Sequence, residues 1–309
     1  MEVLQDLIES FVNEVNGIMG VCVRDLKTGR EIGVRLDEPL PMASVCKIPI
    51  LVTAYRKHEA CKLDLTERLE ITEQTRTFGS GLFNAFDVGI RPTVHDLLLM
   101  MIVVSDNAAT DMVLAKLDEG EVTRTMAGLG LKSIRVDRTI ARLIGDYFIA
   151  LDPGLEQMKL GEWDAYCEKI PGLKERGNNL EAIREAVNAS ASTQDVATVR
   201  DIAHLCAQIS ENRCASTDSC EAMLEILNKQ VLNGRLPRHL PQVTRFPHKT
   251  GTLGSGAVVN DAGILYIDDA PAATIAVLSR DVRDPLADTE TTIARIGRSV
   301  YDHYVGVRC

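Results

Sequence analysis

The spacing of hydrophobic and polar positions changes along the chain and predicts a different kind of element in each part. Apolar residues recur at helical spacing over residues 2–15, which predicts an amphipathic helix. Residues 17–24 and 31–35 are rich in apolar positions and flank a polar turn, which predicts a β-hairpin. From about residue 44 to residue 220 the pattern is mostly helical.

The predicted helices of this middle part share apolar positions three or four residues apart, and they are 46–60, 93–103, 107–117, 120–128, 180–187, 193–210 and one near 219–230. Between them, residues 142–179 show little periodicity, and we predict an irregular insertion at about 145–188. Segments rich in β-forming residues return at 243–249, 256–267 and 272–279, which predicts a three-stranded meander. An amphipathic helix follows at about 287–304.

This order of elements predicts an α/β (α+β) fold in which both ends of the chain build one antiparallel sheet flanked by helices. We expect residues 1–40 and 225–309 to form this sheet domain, and residues 41–224 to form an all-helical domain. Ligand sites are frequent where two domains meet. We therefore expect the active site at this junction.

Composition excludes some classes of function. The 309 residues are 45% hydrophobic and 25% charged, as in an ordinary globular protein. A net charge of −10 provides no basic surface, so we expect no nucleic-acid partner. Residues 1–6 lack the pattern of a signal peptide and no apolar run could span a membrane, so we expect a cytoplasmic protein, or an exported one if a leader was removed. The spacing of the eight cysteines matches no zinc motif, so no metal is expected.

Ser44 and Lys47 form the first candidate for chemistry. They lie three residues apart at the start of a predicted buried helix, so the amine can reach the hydroxyl on the same helix face. A serine needs a neighbouring base to act as a nucleophile, and a lysine can be that base when burial lowers its pKa. On these residues alone, a helix-capping Ser44 with a solvated Lys47 remains an alternative.

Two further motifs occur later in the chain. Ser105-Asp106-Asn107 precedes a predicted helix, and Lys249-Thr250-Gly251 lies at the end of a predicted strand. Together with Ser44-x-x-Lys47, they resemble the active-site motifs of class A β-lactamases and penicillin-binding proteins, in the same order. The resemblance covers nearly the whole chain outside about 145–188. The loop at residues 77–81 is glycine-rich, and we predict that it forms a wall of the cleft.

The resemblance implies a catalytic role for four residues. Ser44 would attack a carbonyl and become acylated, and Lys47 would take its proton. Ser105 would relay a proton to the leaving nitrogen. The backbone N–H of Thr252, with that of Ser44, would form the oxyanion hole.

It also implies how the substrate is held. Asn107 would bind the amide side chain of the substrate and contact Lys47. Lys249 and Thr250, in the motif completed by Gly251, would bind a substrate carboxylate together with the Thr252 hydroxyl. The implied ligand is a small molecule with a carboxylate, and no cofactor is implied.

The sequence departs from the family where the acyl-enzyme is hydrolysed. The family pattern Asp-Arg-x-Glu-x-x-Leu-Asn aligns with Asp137–Ile144, which places Ile140 at the glutamate that activates water. Candidates for a substitute carboxylate that activates water are Asp146, Glu156, Glu162, Glu181 and Glu185. The arginine that often follows Lys-Thr-Gly is also missing; Arg235 and Arg238 are possible replacements, although exposed arginines are usually solvated.

Three hypotheses remain. The first is a β-lactamase-like serine hydrolase that acylates on Ser44 with a β-lactam or a related amide or ester and deacylates slowly. The second is a peptidase, esterase, amidase or transacylase that acts on a cytoplasmic metabolite other than a β-lactam. The third is a non-catalytic binding or sensor module, which would have little reason to retain all three motifs.

Overall fold

A computed structural model describes residues 1–77, 79–154, 180–191 and 195–306. Seven strands lie in this part of the chain: β1 (Ile18–Asp25), β2 (Glu31–Val34), β3 (Leu40–Pro41), β4 (Val196–Ala197), β5 (His248–Leu253), β6 (Val258–Ile267) and β7 (Ala270–Arg280). The α-helices here are α1 (Glu2–Glu14), α2 (Lys47–Glu59), α3 (Val94–Val103), α4 (Asn107–Leu114), α5 (Glu121–Gly128), α6 (Ile140–Leu151), α7 (Leu180–Ala191), α8 (Val199–Ser210), α9 (Thr217–Asn228) and α10 (Leu286–Tyr304).

Five strands form one antiparallel sheet in the order β2-β1-β7-β6-β5. Val21 of β1 lies opposite Val34 on one side and Val277 on the other, which joins the two ends of the chain. Side chains alternate between the sheet faces. Val21 packs into a core with α1 and α10, whereas Cys22 packs into the core on the opposite face, which α8 covers. The predicted α/β fold with a helix-flanked antiparallel sheet is confirmed.

Helix α2 runs through the centre of the helical part. Residues 47–55 are all buried, although Lys47 and Thr53 are polar. A helix that is buried on every side must place each polar group against a partner. Lys47 is therefore held in a defined position.

Strand β5 begins later than predicted. The prediction of a strand at 243–249 is wrong, because Val243 is 94% exposed and β5 starts at His248. Pro247 has no N–H to donate to a ladder, so pairing begins after it. As a result Lys249-Thr250-Gly251 lies inside the strand, paired with β6, and not at its end.

The region between residues 142 and 210 also differs from its prediction. The first part of the expected irregular insertion is helix α6, capped by Thr139, whose hydroxyl accepts from the Arg142 N–H at 3.1 Å. The helix predicted at 180–187 is confirmed by α7, which packs against α6. Residues 155–179, with Glu156 and Glu162, lie outside the described residues. The helix predicted at 193–210 starts only at Val199, because Val196–Ala197 pairs with Leu40–Pro41.

Within the described ranges, no helix is long and apolar enough to cross a membrane. Six cysteines of the same ranges are free thiols, and the sulfur atoms of Cys214 and Cys220 lie 3.7 Å apart.

Candidate active site

Ser44 lies in a single 3₁₀ turn, Ala43–Cys46, that leads directly into α2. Ala43 has φ +47°, a conformation that non-glycine residues rarely adopt. The side-chain amide of Asn260 on β6 holds the preceding backbone by donating to the carbonyls of Pro41 (2.8 Å) and Met42 (2.9 Å). The sheet therefore positions the serine.

Gly251 allows β5 to approach this turn closely. A Cβ atom at residue 251 would lie 2.8 Å from the carbonyl oxygen of Met42 and 3.1 Å from the backbone nitrogen of Ser44. Both neighbours are backbone atoms, which cannot move aside without shifting the turn. Glycine is required here by space.

We predict that Gly251→Ala slows acylation of Ser44 about 100-fold, because a shift of about 1 Å at a reacting group has this effect. The rate is measured with a chromogenic cephalosporin. Gly128→Ala is the matched control, since a Cβ there meets no atom within 4 Å and should leave the rate unchanged. Equal rates in both variants would contradict the close packing of β5 on the Ser44 turn.

Lys47 is fully buried, and its Nζ donates three hydrogen bonds. The acceptors are the carbonyl oxygen of Ser105 (2.7 Å), the hydroxyl of Ser105 (3.1 Å) and Oδ1 of Asn107 (2.8 Å). Burial lowers the pKa of Lys47 to about 8. The alternative of a solvated Lys47 is wrong, since its side chain is fully buried. The bond to Asn107 is the contact with Lys47 that the resemblance implied.

The second motif forms the start of α4. Ser105 has φ +58° and is buried, and its carbonyl accepts from both Lys47 and the hydroxyl of Ser80 (2.7 Å). Asp106 caps α4 by accepting from the Ala109 N–H (2.9 Å). Ser105 lines the cavity described below, and its hydroxyl accepts from Lys47. Gly79 and Ser80 line the same cavity, which confirms the predicted cleft wall for these two residues.

Lys249 on β5 is also fully buried, and its Nζ donates to the carbonyl of Thr250 (2.9 Å). Burial holds the pKa of Lys249 well below its usual range, and the positive charges of Lys47 and Arg235 lower it further. The carboxylate of Asp261 acts in the opposite direction. A bound anion would stabilise the charged form of Lys249 in the same way.

Arg235 holds β5 through hydrogen bonds to two of its residues. Its guanidinium donates to the carbonyls of Gly251 (2.7 Å) and Asn260 (2.6 Å) and to the Thr252 hydroxyl (2.5 Å). It is only 4% exposed, so the expectation of a solvated arginine is wrong for Arg235. That expectation is confirmed for Arg238, which is exposed and contacts the hydroxyl of Thr291.

Residues of all three motifs line a cavity of about 540 Å³. Most of the polar side chains along it come from the three motifs and the cleft-wall loop, and two follow the third motif: Ser44, Ser80, Ser105, Asn107, Thr250, Thr252 and Ser255. The apolar side chains come mainly from α6: Ile140, Leu143, Ile144, Phe148, Leu232 and Leu253. Ile140, aligned above with the family glutamate, therefore lies at the cavity. None of the described residues that line it carries a carboxylate or an imidazole.

The carboxylates proposed as substitutes lie elsewhere. Asp146 is on α6 but pairs with Arg138 (2.9 Å) and Arg142 (2.6 Å). Glu181 and Glu185 on α7 are exposed. None of these three lines the cavity.

Sequence reasoning missed Asp111 and Asn260. Asp111 holds the start of α6, and Asn260 holds the backbone before Ser44. Asp111 on α4 accepts from the N–H groups of Ile140 (2.6 Å) and Ala141 (2.8 Å), and burial raises its pKa. Asn260 carries a detectable signal, because a polar residue inside an apolar strand must find a partner. In the described ranges, no cluster of three His, Cys, Asp or Glu residues could hold a metal ion.

Comparison with known proteins identifies the family to which the sequence is similar. The model of the family described as "Beta-lactamase enzyme family" matches residues 2–304. The β-lactamase regulatory protein BlaB of Streptomyces cacaoi is 23% identical over 294 residues, which cover 91% of this chain and 90% of BlaB. A β-lactamase of Streptomyces lavendulae is 34% identical over 143 residues, covering 44% of this chain and 46% of its own.

Solved structures share the fold. A β-lactamase from Sphaerobacter thermophilus superposes with a TM-score of 0.77 at 24% identity, over 99% of this chain and 98% of its own. PBP-A superposes with a TM-score of 0.76 at 21% identity, over 99% of this chain and 97% of PBP-A. A leucine-to-glutamate mutant of PBP-A, similar to the same extent, was solved as an acyl-enzyme with penicillin G.

Proposed function

Because the chain belongs to the β-lactamase enzyme family, we propose that Ser44 attacks the carbonyl of a β-lactam, or of a related amide or ester, and becomes acylated. The observation that carries this proposal is Lys47, a fully buried amine with a pKa of about 8, three residues from a serine at a cavity. A neutral amine in this position is a base that an ordinary solvated lysine is not.

The protons have a short route. Lys47 takes the proton of Ser44 as the bond from Oγ to the carbonyl carbon forms. As the C–N bond breaks, the Ser105 hydroxyl gives its proton to the leaving nitrogen and takes the proton from protonated Lys47, whose Nζ lies 3.1 Å away, so that Lys47 is neutral again. The backbone N–H groups of Ser44 and Thr252 receive the negative oxygen of the intermediate.

Substrate binding uses the remaining motif residues. Asn107 binds the amide of the substrate, and its Oδ1 stays bonded to Lys47. A carboxylate of the substrate is bound by Thr250, Thr252 and Lys249. Gly251 lets their strand lie close to Ser44. The bound anion would stabilise the charged form of Lys249, as the carboxylate of Asp261 does. This site would lie at the junction of a sheet domain (1–40 and 225–309) with a helical domain (41–224).

Release of the acyl group is proposed to be slow. Hydrolysis needs a base beside the ester, and an isoleucine at position 140 cannot accept a proton. The apolar α6 side chains at the cavity, Ile140 among them, support this proposal.

We also propose a cytoplasmic location, which the free thiols of the described residues support, since thiols persist in a reducing compartment.

The rate of acylation is predicted to rise with pH around a midpoint of about 8. The catalytic form of Lys47 is the neutral amine, and its fraction grows as pH passes the pKa of about 8. The measurement is the burst rate with a chromogenic cephalosporin between about pH 6 and pH 9. A rate that is flat or falls over this range would contradict Lys47 as the base.

The proposal is tested by mixing the enzyme with excess chromogenic cephalosporin. Acylation with slow release predicts a colour burst of one equivalent per enzyme, followed by a slow steady rate. Ser44→Ala should give no burst. A complete absence of reaction in the unchanged protein would overturn the proposed acylation.

The likeness to BlaB, a β-lactamase regulatory protein, over most of the chain favours a second candidate, in which the acylated protein is a signal that regulates a β-lactamase. The two candidates differ in how long the acyl group stays. No steady-state turnover after the burst favours the signal, whereas a slow but measurable steady rate favours the hydrolase.

A further inference from the structure

Two buried ionisable side chains, His248 and Asp261, lie next to the third motif, and neither touches the substrate in the proposed reaction. His248 is the first residue of β5 and Asp261 lies on β6, and they are 2% and 0% exposed. Nδ1 of His248 lies 2.8 Å from Oδ1 of Asp261. A buried ionisable pair seldom stabilises a fold more than apolar side chains of the same volume do. Its other contacts therefore point to a further role.

These other contacts hold the two ends of one short segment, residues 233–236. Nε2 of His248 lies 3.0 Å from Oδ1 of Asn233. Oδ2 of Asp261 accepts a hydrogen bond from the Leu236 N–H at 3.0 Å. The segment follows α9 and is neither helix nor strand. Since no helix or ladder fixes its backbone, these hydrogen bonds set its position.

Arg235 lies between the two contacts and reaches β5. Its guanidinium donates to the carbonyl of Gly251 (2.7 Å) and to the hydroxyl of Thr252 (2.5 Å). The Gly251 carbonyl and the Thr252 N–H belong to one peptide unit, which is planar. A bond that fixes this carbonyl therefore also fixes the direction of the N–H, the proposed donor to the oxyanion. The same bond polarises the peptide and makes its N–H a stronger donor.

From this arrangement we infer that His248 is a positioning residue for the oxyanion hole. With Asp261 it holds the 233–236 segment, and through Arg235 it sets the direction of the Thr252 N–H. The inference rests on the proposed function and adds to it a residue that does not touch the substrate. Because the oxyanion forms only after the substrate has bound, His248 acts on the rate constant of acylation and not on substrate binding.

Burst kinetics at increasing concentrations of a chromogenic cephalosporin separate positioning from stability. His248→Gln removes the ring that joins Asp261 to Asn233. We expect the limiting rate constant of acylation to fall about tenfold, less than the roughly 10²- to 10³-fold that follows complete loss of an oxyanion donor. The half-saturating concentration and the burst of one equivalent should stay unchanged. A role in stability alone would lower the amplitude of the burst and leave the rate constant unchanged.

His204→Gln is the matched control for this change. His204 lies on α8, pairs with the carboxylate of Glu31 and does not line the cavity. Its replacement should leave the limiting rate constant unchanged.

Asn233 provides a second test at an exposed position, where a substitution does not disturb the core. Asn233→Ala removes the oxygen beside Nε2 of His248, and the loss of this hydrogen bond should lower the limiting rate constant at least about threefold. Asn233→Asp keeps an oxygen at this place and should restore the rate constant to within about twofold of the unchanged protein.

A double variant tests whether the effect passes through Arg235. In the Arg235→Met background the route to Thr252 is already cut, so adding His248→Gln should slow acylation by less than about twofold. Equal losses from His248→Gln with and without Arg235→Met would overturn the inference.

The remaining outcomes separate the inference from the proposed function. An unchanged limiting rate constant in His248→Gln, or in Asn233→Ala should His248→Gln fail to fold, would overturn the inference and leave the proposed function intact. A lower burst amplitude with an unchanged rate constant would also overturn it. No burst in the unchanged protein would overturn the proposed function itself.

Discussion

Replacing Lys47 with methionine is expected to slow acylation of Ser44 by about 10²- to 10⁴-fold, the usual contribution of a general base. Methionine has a similar length and suits a buried position, but it cannot accept the proton of Ser44. It also removes the Lys47 donor from Oδ1 of Asn107 and from the carbonyl of Ser105, although this carbonyl keeps the bond from the Ser80 hydroxyl, so we expect a total loss of stability of about 1–3 kcal/mol. Burst kinetics measure the rate, and thermal unfolding measures the stability.

Lys57→Met is the matched control for this change. Lys57 lies on the same helix, is nearly buried, and pairs with Glu121 at 2.8 Å on the side away from the cavity. Its replacement should reduce stability without changing the rate of acylation. If Lys47→Met and Lys57→Met acylate equally fast, Lys47 is not the base.

Ile140→Glu is expected to speed release of the acyl group by about 10²- to 10⁴-fold. Ile140 lines the cavity at the first position of α6, where a helix N-terminus favours a carboxylate. The nearby carboxylate of Asp111 opposes this charge and should raise the pKa of the new glutamate. The measurement is the steady-state rate that follows the burst.

Ile140→Gln controls for size and polarity without adding a base, and it should release the acyl group as slowly as the unchanged protein. Combining Ile140→Glu with Asp111→Asn removes the opposing charge and should extend the faster release to lower pH. A folded Ile140→Glu variant with no gain would show that residue 140 does not face the water that attacks the ester.

Residues whose role depends on local spacing could be predicted from the sequence. Ser44 and Lys47 are separated by one helical turn, and the motifs at Ser105 and Lys249 each lie on a short continuous stretch. The structure brings all three to one cavity. The catalytic roles themselves remain predictions.

Contacts between distant parts of the chain could not be predicted in this way. Asn260 holds the backbone before Ser44 across more than 200 positions of sequence, and Arg235 binds β5 through backbone carbonyls that carry no sequence pattern. Helix α6 was not predicted, because residues 142–179 as a whole show little periodicity. The apolar spacing of Ile140, Ile144 and Phe148 is nevertheless helical.

Intact-mass spectrometry after exposure to benzylpenicillin, with peptide mapping, tests acylation of Ser44 most directly. We predict a mass increase of one penicillin per chain, located on the peptide that contains Ser44, persisting for minutes and absent in Ser44→Ala. An adduct that remains in Ser44→Ala, or no adduct with benzylpenicillin or a chromogenic cephalosporin, would contradict the assignment of Ser44 as the nucleophile.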